Sequence, residues 1–321
     1  MMYLYLAGGL VVLLVCGDLL VRGAVALAMR LGVPHLIVGL TVVAFGTSAP
    51  ELMVSINAAF SDVAGISLGN VVGSNIANIL LVLGLPAIIY PTCCDCTDLR
   101  SNMLFMLAVS VLFIALCFTG VIGFWEGLLL LALLVAYLGY SGWRAATHEG
   151  DDELDEVGEL PGSWWQISLL LIVGIVGLPL GAHFIVTGGT DIARAFGVSD
   201  ALIGITLIAL GTSLPELATT LMAAFRKHAD VAVGNVIGSN IFNLCGIIGI
   251  TAMLTPLPVP PSFLRFDLWV MLIASLAILP VIMARGTISR LGGAFFVLAY
   301  LGFIAFAYMA DKANNVPVAH L

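Results

Sequence analysis

Two glutamates sit in the middle of long apolar stretches and share one context. The first reads Gly46-Thr47-Ser48-Ala49-Pro50-Glu51-Leu52, the second Gly211-Thr212-Ser213-Leu214-Pro215-Glu216-Leu217. A carboxylate inside a hydrocarbon-length segment costs on the order of 2.5–3.5 kcal/mol by insertion scales, so its oxygens or its charge must serve a purpose. A single protonated glutamate can act purely as packing; a matched pair with polar neighbours argues against that reading. Each proline lacks an N–H and so frees the carbonyl of Gly46 or Gly211 four residues earlier. Free carbonyls at membrane depth are tolerated where they line a cavity or are covered by protein. Thr47 and Thr212 precede the glutamates by one helical turn and share their face if the helix continues. Ser48 and Ser213 add further hydroxyls.

The next apolar stretch in each case carries an i,i+4 polar stripe: Asn70, Ser74 and Asn78, then Asn235, Ser239 and Asn243. Gly69-xxx-Gly73 and Gly234-xxx-Gly238 are small-residue motifs that bring helices close, and asparagines can bond between helices. Packing and ion binding are compatible, because a compact site requires close approach. Asn75 and Asn240 fall on another face, where a structural amide is as good a reading. The collected donors are carboxylate, hydroxyl, amide and carbonyl oxygens, without cysteine or histidine among them. Hard oxygen ligands suit Ca²⁺, Mg²⁺ or Na⁺ rather than a soft transition metal. Six to eight flexible oxygens favour calcium over magnesium, which demands a stricter octahedron.

These residues belong to a repeat. Residues 46–78 and 211–243 align without a gap at an offset of 165, with 18 of 33 positions identical. Weaker matches continue outward, pairing Gly23 with Gly188, Gly32 with Gly197, Gly39 with Gly204, Thr41 with Thr206 and Gly84 with Gly249. The solvent around most of the chain is lipid: of 321 residues 61% are apolar and 9% charged, with a mean hydropathy of +1.15. Polar residues cannot cover a water-facing surface at that composition, which excludes a soluble enzyme. Eleven basic residues make nucleic-acid binding implausible, and cysteines inside apolar runs argue against a disulfide framework. No protein partner is evident.

Apolar stretches of about 20 residues, the length needed to span a bilayer, centre on 3–29, 36–60, 66–90, 102–119 and 122–143, then on 164–187, 200–225, 231–254, 264–284 and 289–310. They are continuous rather than alternating, so strands are not expected. The expectation is an all-α integral membrane protein of ten helices, with helices 2, 3, 7 and 8 broken around a midplane cation site. Residues 1–143 form the first five-helix repeat, 144–163 an acidic cytoplasmic linker, 164–310 the second repeat and 311–321 a tail. Five is odd, so the second copy must cross the membrane in the opposite sense, as inverted repeats of many secondary transporters do. The first stretch is read as a retained helix, since no positive charge precedes it and it exceeds a usual signal core.

Ten spans place both termini on one side. The opposite side carries Arg22, Arg30, Arg100, Arg144, Arg226, Lys227, Arg285 and Arg290, against Arg194, Arg265 and Lys312 on the terminal side. The positive-inside rule then puts both termini outside the cytoplasm. All five tryptophans (125, 143, 164, 165 and 269) fall near span ends, as interfacial anchors do.

The motifs GTSAPEL with GNVVGSNIAN, and GTSLPEL with GNVIGSNIFN, resemble the two alpha repeats of the sodium/calcium exchanger family, prokaryotic type, within the calcium/cation antiporter superfamily. The resemblance covers nearly the whole chain. It implies electrogenic exchange of Na⁺ for Ca²⁺ across a prokaryotic plasma (inner) membrane by alternating access, without enzyme activity or a cofactor. By motif position it implies that Glu51, Asn78, Glu216 and Asn243 form the central cation site. Thr47, Ser48, Ser74, Thr212, Ser213 and Ser239 would supply hydroxyls, and Ala44 and Ala209 carbonyls, to flanking Na⁺ sites. It also implies that the first and sixth spans slide against an eight-helix core. Several exchangers carry Asp where this chain has Asn243, so the number of coupled Na⁺, and any K⁺ or H⁺ involvement, stays open.

Two rivals use the same features. A Ca²⁺/H⁺ antiporter would employ the glutamates as proton carriers, and a passive cation channel would use the broken helices as a filter. The acidic run 149–156 fits no EF-hand loop and reads as a solvated linker. Cys93, Cys94 and Cys96 read as ordinary thiols. Asp18 and His183 occupy matching positions in the first and sixth spans.

Overall fold

Apolar runs without water to satisfy their backbone can become only helices or a closed barrel, and this chain becomes helices. The computed structural model describes residues 2–61, 64–93, 99–147, 163–196, 209–284 and 286–314. The helices are α1 (Met2–Leu31), α2 (His35–Thr47), α3 (Ala49–Phe60), α4 (Gly65–Ile89), α5 (Leu99–Cys117), α6 (Phe124–Thr147), α7 (Trp164–Ala195), α8 (Ala209–Thr212), α9 (Leu214–Phe225), α10 (Ala229–Leu254), α11 (Phe263–Met283) and α12 (Arg290–Asn314). Eight of them are long and apolar enough to cross a membrane, or nine when the bent pair α2–α3 counts as one span. Residues 200–208, the first part of the seventh expected span, lie outside the described residues, as do the linker's acidic run and Cys94 and Cys96.

Span ends lie within a few residues of the sequence expectation, with one exception. The sixth span runs on to Ala195 as a 32-residue helix, about 48 Å long at 1.5 Å per residue. Its partner α1, 30 residues, is about 45 Å. Both exceed a hydrocarbon core of about 30 Å and must tilt to fit. They pack along each other at glycines: a Cβ on Gly9 would come within 2.8 Å of the Gly181 carbonyl, and one on Gly188 within 2.7 Å of the Met2 carbonyl.

The middle of the molecule is set by α4 and α10. In their most apolar windows 72% and 89% of residues are buried, against 22% for α7 and 17% for α12. Lipid therefore faces α7 and α12, while α4 and α10 face protein on nearly every side. Such central helices need close neighbours. Gly39 of α2 and Gly234 of α10 supply them, each so placed that a Cβ would sit 2.9 Å from a carbonyl of the other helix, Val231 and Leu36 respectively.

Two expectations are corrected. Helices 3 and 8 are not broken: α4 and α10 run through continuously, each with a π-helical segment, Asn78–Val82 and Phe242–Ile247. No proline lies at the start of these segments, so nothing forces a break. An i→i+5 turn re-aims the side chains while keeping the backbone paired, a device frequent at functional sites. Strands, which continuous apolar runs did not predict, occur as two-residue pieces outside the helices. β1 (Thr92–Cys93) pairs antiparallel with β4 (Thr287–Ile288), and β2 (Val121–Ile122) with β3 (Leu257–Pro258).

The tight α2–α10 seam generates a stability prediction. Gly234→Val places its side chain against the Leu36 carbonyl and is expected to cost about 1–3 kcal/mol by overpacking. Gly139→Ala, on an exposed face with nothing within 4 Å, should cost nothing. Thermal unfolding of the two variants in detergent checks this, and an unchanged midpoint for Gly234→Val would refute the seam.

Candidate functional site

The two Gly-Thr-Ser-x-Pro-Glu segments fold alike. Ser48 (φ −85°, ψ 6°) and Ser213 (φ −87°, ψ 1°) leave helical geometry at the same place, and the proline follows in the first turn of the next helix. The bend between α2 and α3 is 44°. The break falls at the serines because the prolines cannot donate back to Gly46 and Gly211. Each glutamate consequently stands in the first turn of a new helix, where the helix dipole favours negative charge. Both are fully buried.

Ser48 and Ser213 do not cap their own helices. Ser48 Oγ instead donates across to Glu216 Oε1 at 2.9 Å. This corrects the expected shared face of Thr47 and Glu51, which held only for an unbroken helix. Thr47 turns to α10 and approaches Asn235 Oδ1 at 3.3 Å, while also bonding the Ala44 carbonyl at 3.3 Å. The Ala44 carbonyl accepts the Ser48 N–H as well, at 3.0 Å. Thr212 makes the matching approach to Asn70 Oδ1 at 3.5 Å.

The Ser48–Glu216 bond has no counterpart from Ser213 to Glu51, but the asparagine contacts come in reciprocal pairs. Asn70 Nδ2 donates to the Glu51 carbonyl and to Ser55 Oγ, both at 3.1 Å. Asn235 Nδ2 donates to the Glu216 carbonyl at 3.5 Å and to Thr220 Oγ1 at 3.1 Å. Deeper in the protein, Asn78 Nδ2 donates to Asn240 Oδ1 at 3.0 Å, and Asn243 Nδ2 to Asn75 Oδ1 at 3.1 Å. Helix α3 packs against the π segment of α10, and α9 against that of α4. Glu51 is thereby brought towards Asn243's segment and Glu216 towards Asn78's.

The amides of Asn78 and Asn243 spend an N–H on the buried Asn240 and Asn75, and their oxygens have no hydrogen-bond partner. Among buried side-chain atoms of the described residues without a hydrogen-bond partner are Oδ1 of both these asparagines, both carboxyl oxygens of Glu51, Oε2 of Glu216, and Oγ of Ser213 and Ser239. Ser74 is buried on α4. Ala209 opens α8, and its side chain lies outside the described set.

A family model described as "Sodium/calcium exchanger protein" matches residues 1–143 and 167–309. The chain belongs to the sodium/calcium exchanger family. It is 33% identical to the sodium/calcium exchanger MaX1 of Methanosarcina acetivorans over 94% of this chain and 97% of that one. It is 37% identical to the inner membrane protein YrbG of Escherichia coli (strain K12) over 84% of each. The structure is similar to that of the sodium-calcium exchanger NCX_Mj soaked with Na⁺ and Ca²⁺. That match has a TM-score of 0.82 and 34% identity, and it covers 95% of this chain and 97% of that one. The protein is thus a multi-pass membrane antiporter of the exchanger family, of the kind that moves Ca²⁺ against another cation.

Within this exchanger, four polar residues escaped the ligand set read from sequence. Asn75 and Asn240, left undecided there, orient the amides of Asn243 and Asn78. Ser55 and Thr220 receive the Asn70 and Asn235 side chains and were passed over entirely. A signal existed, since position 55 and its repeat mate 220 are both hydroxyl residues in otherwise apolar runs.

The orienting role predicts a clean separation of folding from binding. Asn240→Leu removes the acceptor that fixes Asn78, so the Asn78 oxygen is no longer held towards the interior. Ca²⁺ affinity should fall about tenfold, the equivalent of one lost hydrogen bond of ~1.4 kcal/mol, with the elution profile in detergent unchanged. Calcium titration calorimetry on the two proteins tests it; equal affinities would refute the role.

Proposed function

We propose that this exchanger couples Na⁺ to Ca²⁺, moving each in turn through a site built on Glu51, Glu216, Asn78 and Asn243. The observation that carries the reading is the set of buried, partnerless acceptors at the helix breaks and π segments. Every one is an oxygen. An unmet buried acceptor costs about 1–3 kcal/mol, and a cation meets several at once. Thr47, Ser48, Ser74, Thr212, Ser213 and Ser239 provide hydroxyls for flanking Na⁺, and the Ala44 and Ala209 carbonyls complete them. Mixed neutral and charged oxygens suit Ca²⁺ and Na⁺, and no resident cofactor enters.

The ten-span, inverted arrangement belongs to the same proposal, with repeats 1–143 and 164–310 joined by 144–163 and followed by the tail 311–321. Contacts between span ends support it by parity. Arg30 stacks on Trp164, His35 meets His228 and Asp230, β1 pairs with β4, and Arg100 bonds the Met283 carbonyl. Contacting ends lie on one face, so an even number of crossings separates 164 from 228. That requires one crossing besides α7 before residue 228, and α9 ends at that face. Gly65, at the start of α4, is one crossing from β1 and therefore opposite its repeat mate Asp230, as inversion demands. The excess of Arg and Lys on the 226–230 face assigns it to the cytoplasm and both termini to the outside.

Proteoliposomes separate this reading from its rivals. Uptake of ⁴⁵Ca²⁺ should require Na⁺ loaded inside, and Glu51→Gln and Glu216→Gln should each reduce it to the level of empty vesicles. Uptake driven by internal acid alone would move the protein to the proton-coupled class. Flux indifferent to any internal cation would identify a channel.

A further inference from the structure

Three metal-capable side chains meet at one membrane face, away from the glutamates. His35 opens α2, His228 precedes α10 and Asp230 lies in its first turn. One ligand atom from each lies within 4.8 Å of the other two. His35 Nδ1 is 3.3 Å from Asp230 Oδ2, and the two imidazoles stand edge to face with centroids 5.6 Å apart. The side chains of His35 and Asp230 are about one-quarter exposed, 26% and 27%, so an ion from the aqueous phase can reach them without unfolding.

The distances fit a small metal. Zinc bonds of about 2.0–2.2 Å at tetrahedral angles hold ligand atoms about 3.3–3.5 Å apart. The His35–Asp230 pair already has that spacing, and a His228 nitrogen lies within 4.8 Å of both its ligand atoms. Two imidazole nitrogens and one carboxylate oxygen suit Zn²⁺, Co²⁺ or Ni²⁺; Ca²⁺ takes an oxygen shell, and Na⁺ likewise finds few oxygens here. Burial lowers the His228 imidazole from its ordinary value against the opposing pull of Asp230, which favours the neutral ring a metal requires. Neighbouring Arg226 is committed to Asp18 of α1.

The repeat sharpens the case. Val63 and Gly65 stand at the positions matching His228 and Asp230, and Asp200 at the position matching His35. Duplication therefore did not produce the cluster, and the opposite membrane face has no equivalent pair of imidazoles in sequence. The helices it joins are the ones that lead to the ion path, since α2 runs to the Ser48 break and α10 carries Asn235, Ser239 and Asn243.

We propose that His35, His228 and Asp230 form a one-sided site for a borderline divalent metal of the Zn²⁺ class, which ties the ends of α2 and α10 and slows transport. The binding half is independent of the transported ions; the slowing half rests on the exchange reading above.

The test uses the full chain in detergent with Cys93, Cys94 and Cys96 replaced by serine, so that thiols cannot bind the probe. Titrated with Co²⁺ alone, this protein should bind one ion with the visible bands of a nitrogen- and oxygen-ligated, near-tetrahedral site, and Zn²⁺ should displace it. His228→Asn and His35→Asn should each weaken Zn²⁺ at least tenfold, and Asp230→Asn should do so while keeping the helix N-terminus. Absence of saturable binding, or binding that survives both histidine changes, would mean the three residues make only a surface hydrogen bond, and the proposal fails. In proteoliposomes, saturating Zn²⁺ should slow Ca²⁺ flux through the parent protein and spare His228→Asn. Full flux with the site filled would overturn the clamp. Flux without Zn²⁺, measured in the same vesicles, reports on the exchange reading separately.

Discussion

Burying two carboxylates inside a membrane protein is the constraint to which the rest of this structure answers. Glu51 and Glu216 are 0% exposed, and water cannot stabilise their charge. Several local features near them reduce that cost, while both Glu51 oxygens and Glu216 Oε2 keep unmet acceptors. The serine breaks place each glutamate at a helix start, where backbone N–H groups and the dipole favour an anion. Ser48 donates to Glu216 directly. Asn70 and Asn235 hold the glutamates' own backbone carbonyls, which fixes where the side chains begin. A helix without its break would carry each carboxyl in mid-helix, without the dipole, and would take from Glu216 the crossing hydroxyl of Ser48.

The reciprocity of the contacts follows from building the site twice. When one half supplies a donor and the other an acceptor, duplication returns the same contact with the halves exchanged. Asn78 to Asn240 and Asn243 to Asn75 are such a pair, and so are β1 with β4 and β2 with β3. The outer packing obeys the same rule. Gly84 fits against Gly293, and its mate Gly249 fits against Gly127. The polar interior is consequently held from both sides, and a shift of one half must disturb contacts made by both.

Much of this was legible in sequence, for reasons that can be named. Acidic residues in apolar runs are costly enough to stand out, and an ungapped repeat gives two independent views of each position. Glu51 and Glu216, the proline-linked interruptions and the close approach at Gly234 and Gly238 were visible on that basis, whereas the matching Gly69 and Gly73 meet no neighbouring backbone. The π segments were not, because an extra residue in a helical turn leaves no mark in composition; a polar stripe looked the same in a broken and an unbroken helix. The orientation of an amide is equally invisible. Asn75 sits off the i,i+4 stripe, and only its contact with Asn243 gives it a part in the site. His35 and His228 lie far apart in sequence and share no motif, so their meeting had to await the fold.

With Asn at both 78 and 243, the proposed site holds two acids, and that number constrains the cycle. One Ca²⁺ neutralises two carboxylates, and two Na⁺ do the same. With both carboxyls ionised, an empty site holds two like charges in a medium of low effective dielectric, where their repulsion and desolvation are far larger than in water. The ion-free protein therefore pays most when the site is closed to both sides, whereas either cargo relieves that penalty. A carrier of this design crosses readily when loaded and poorly when empty, which is the physical condition for exchange rather than leak. A third Na⁺ would leave one net positive charge and make the step sensitive to membrane potential. The charge of two carboxylates, Glu51 and Glu216, then sets which loaded states of the proposed site are neutral.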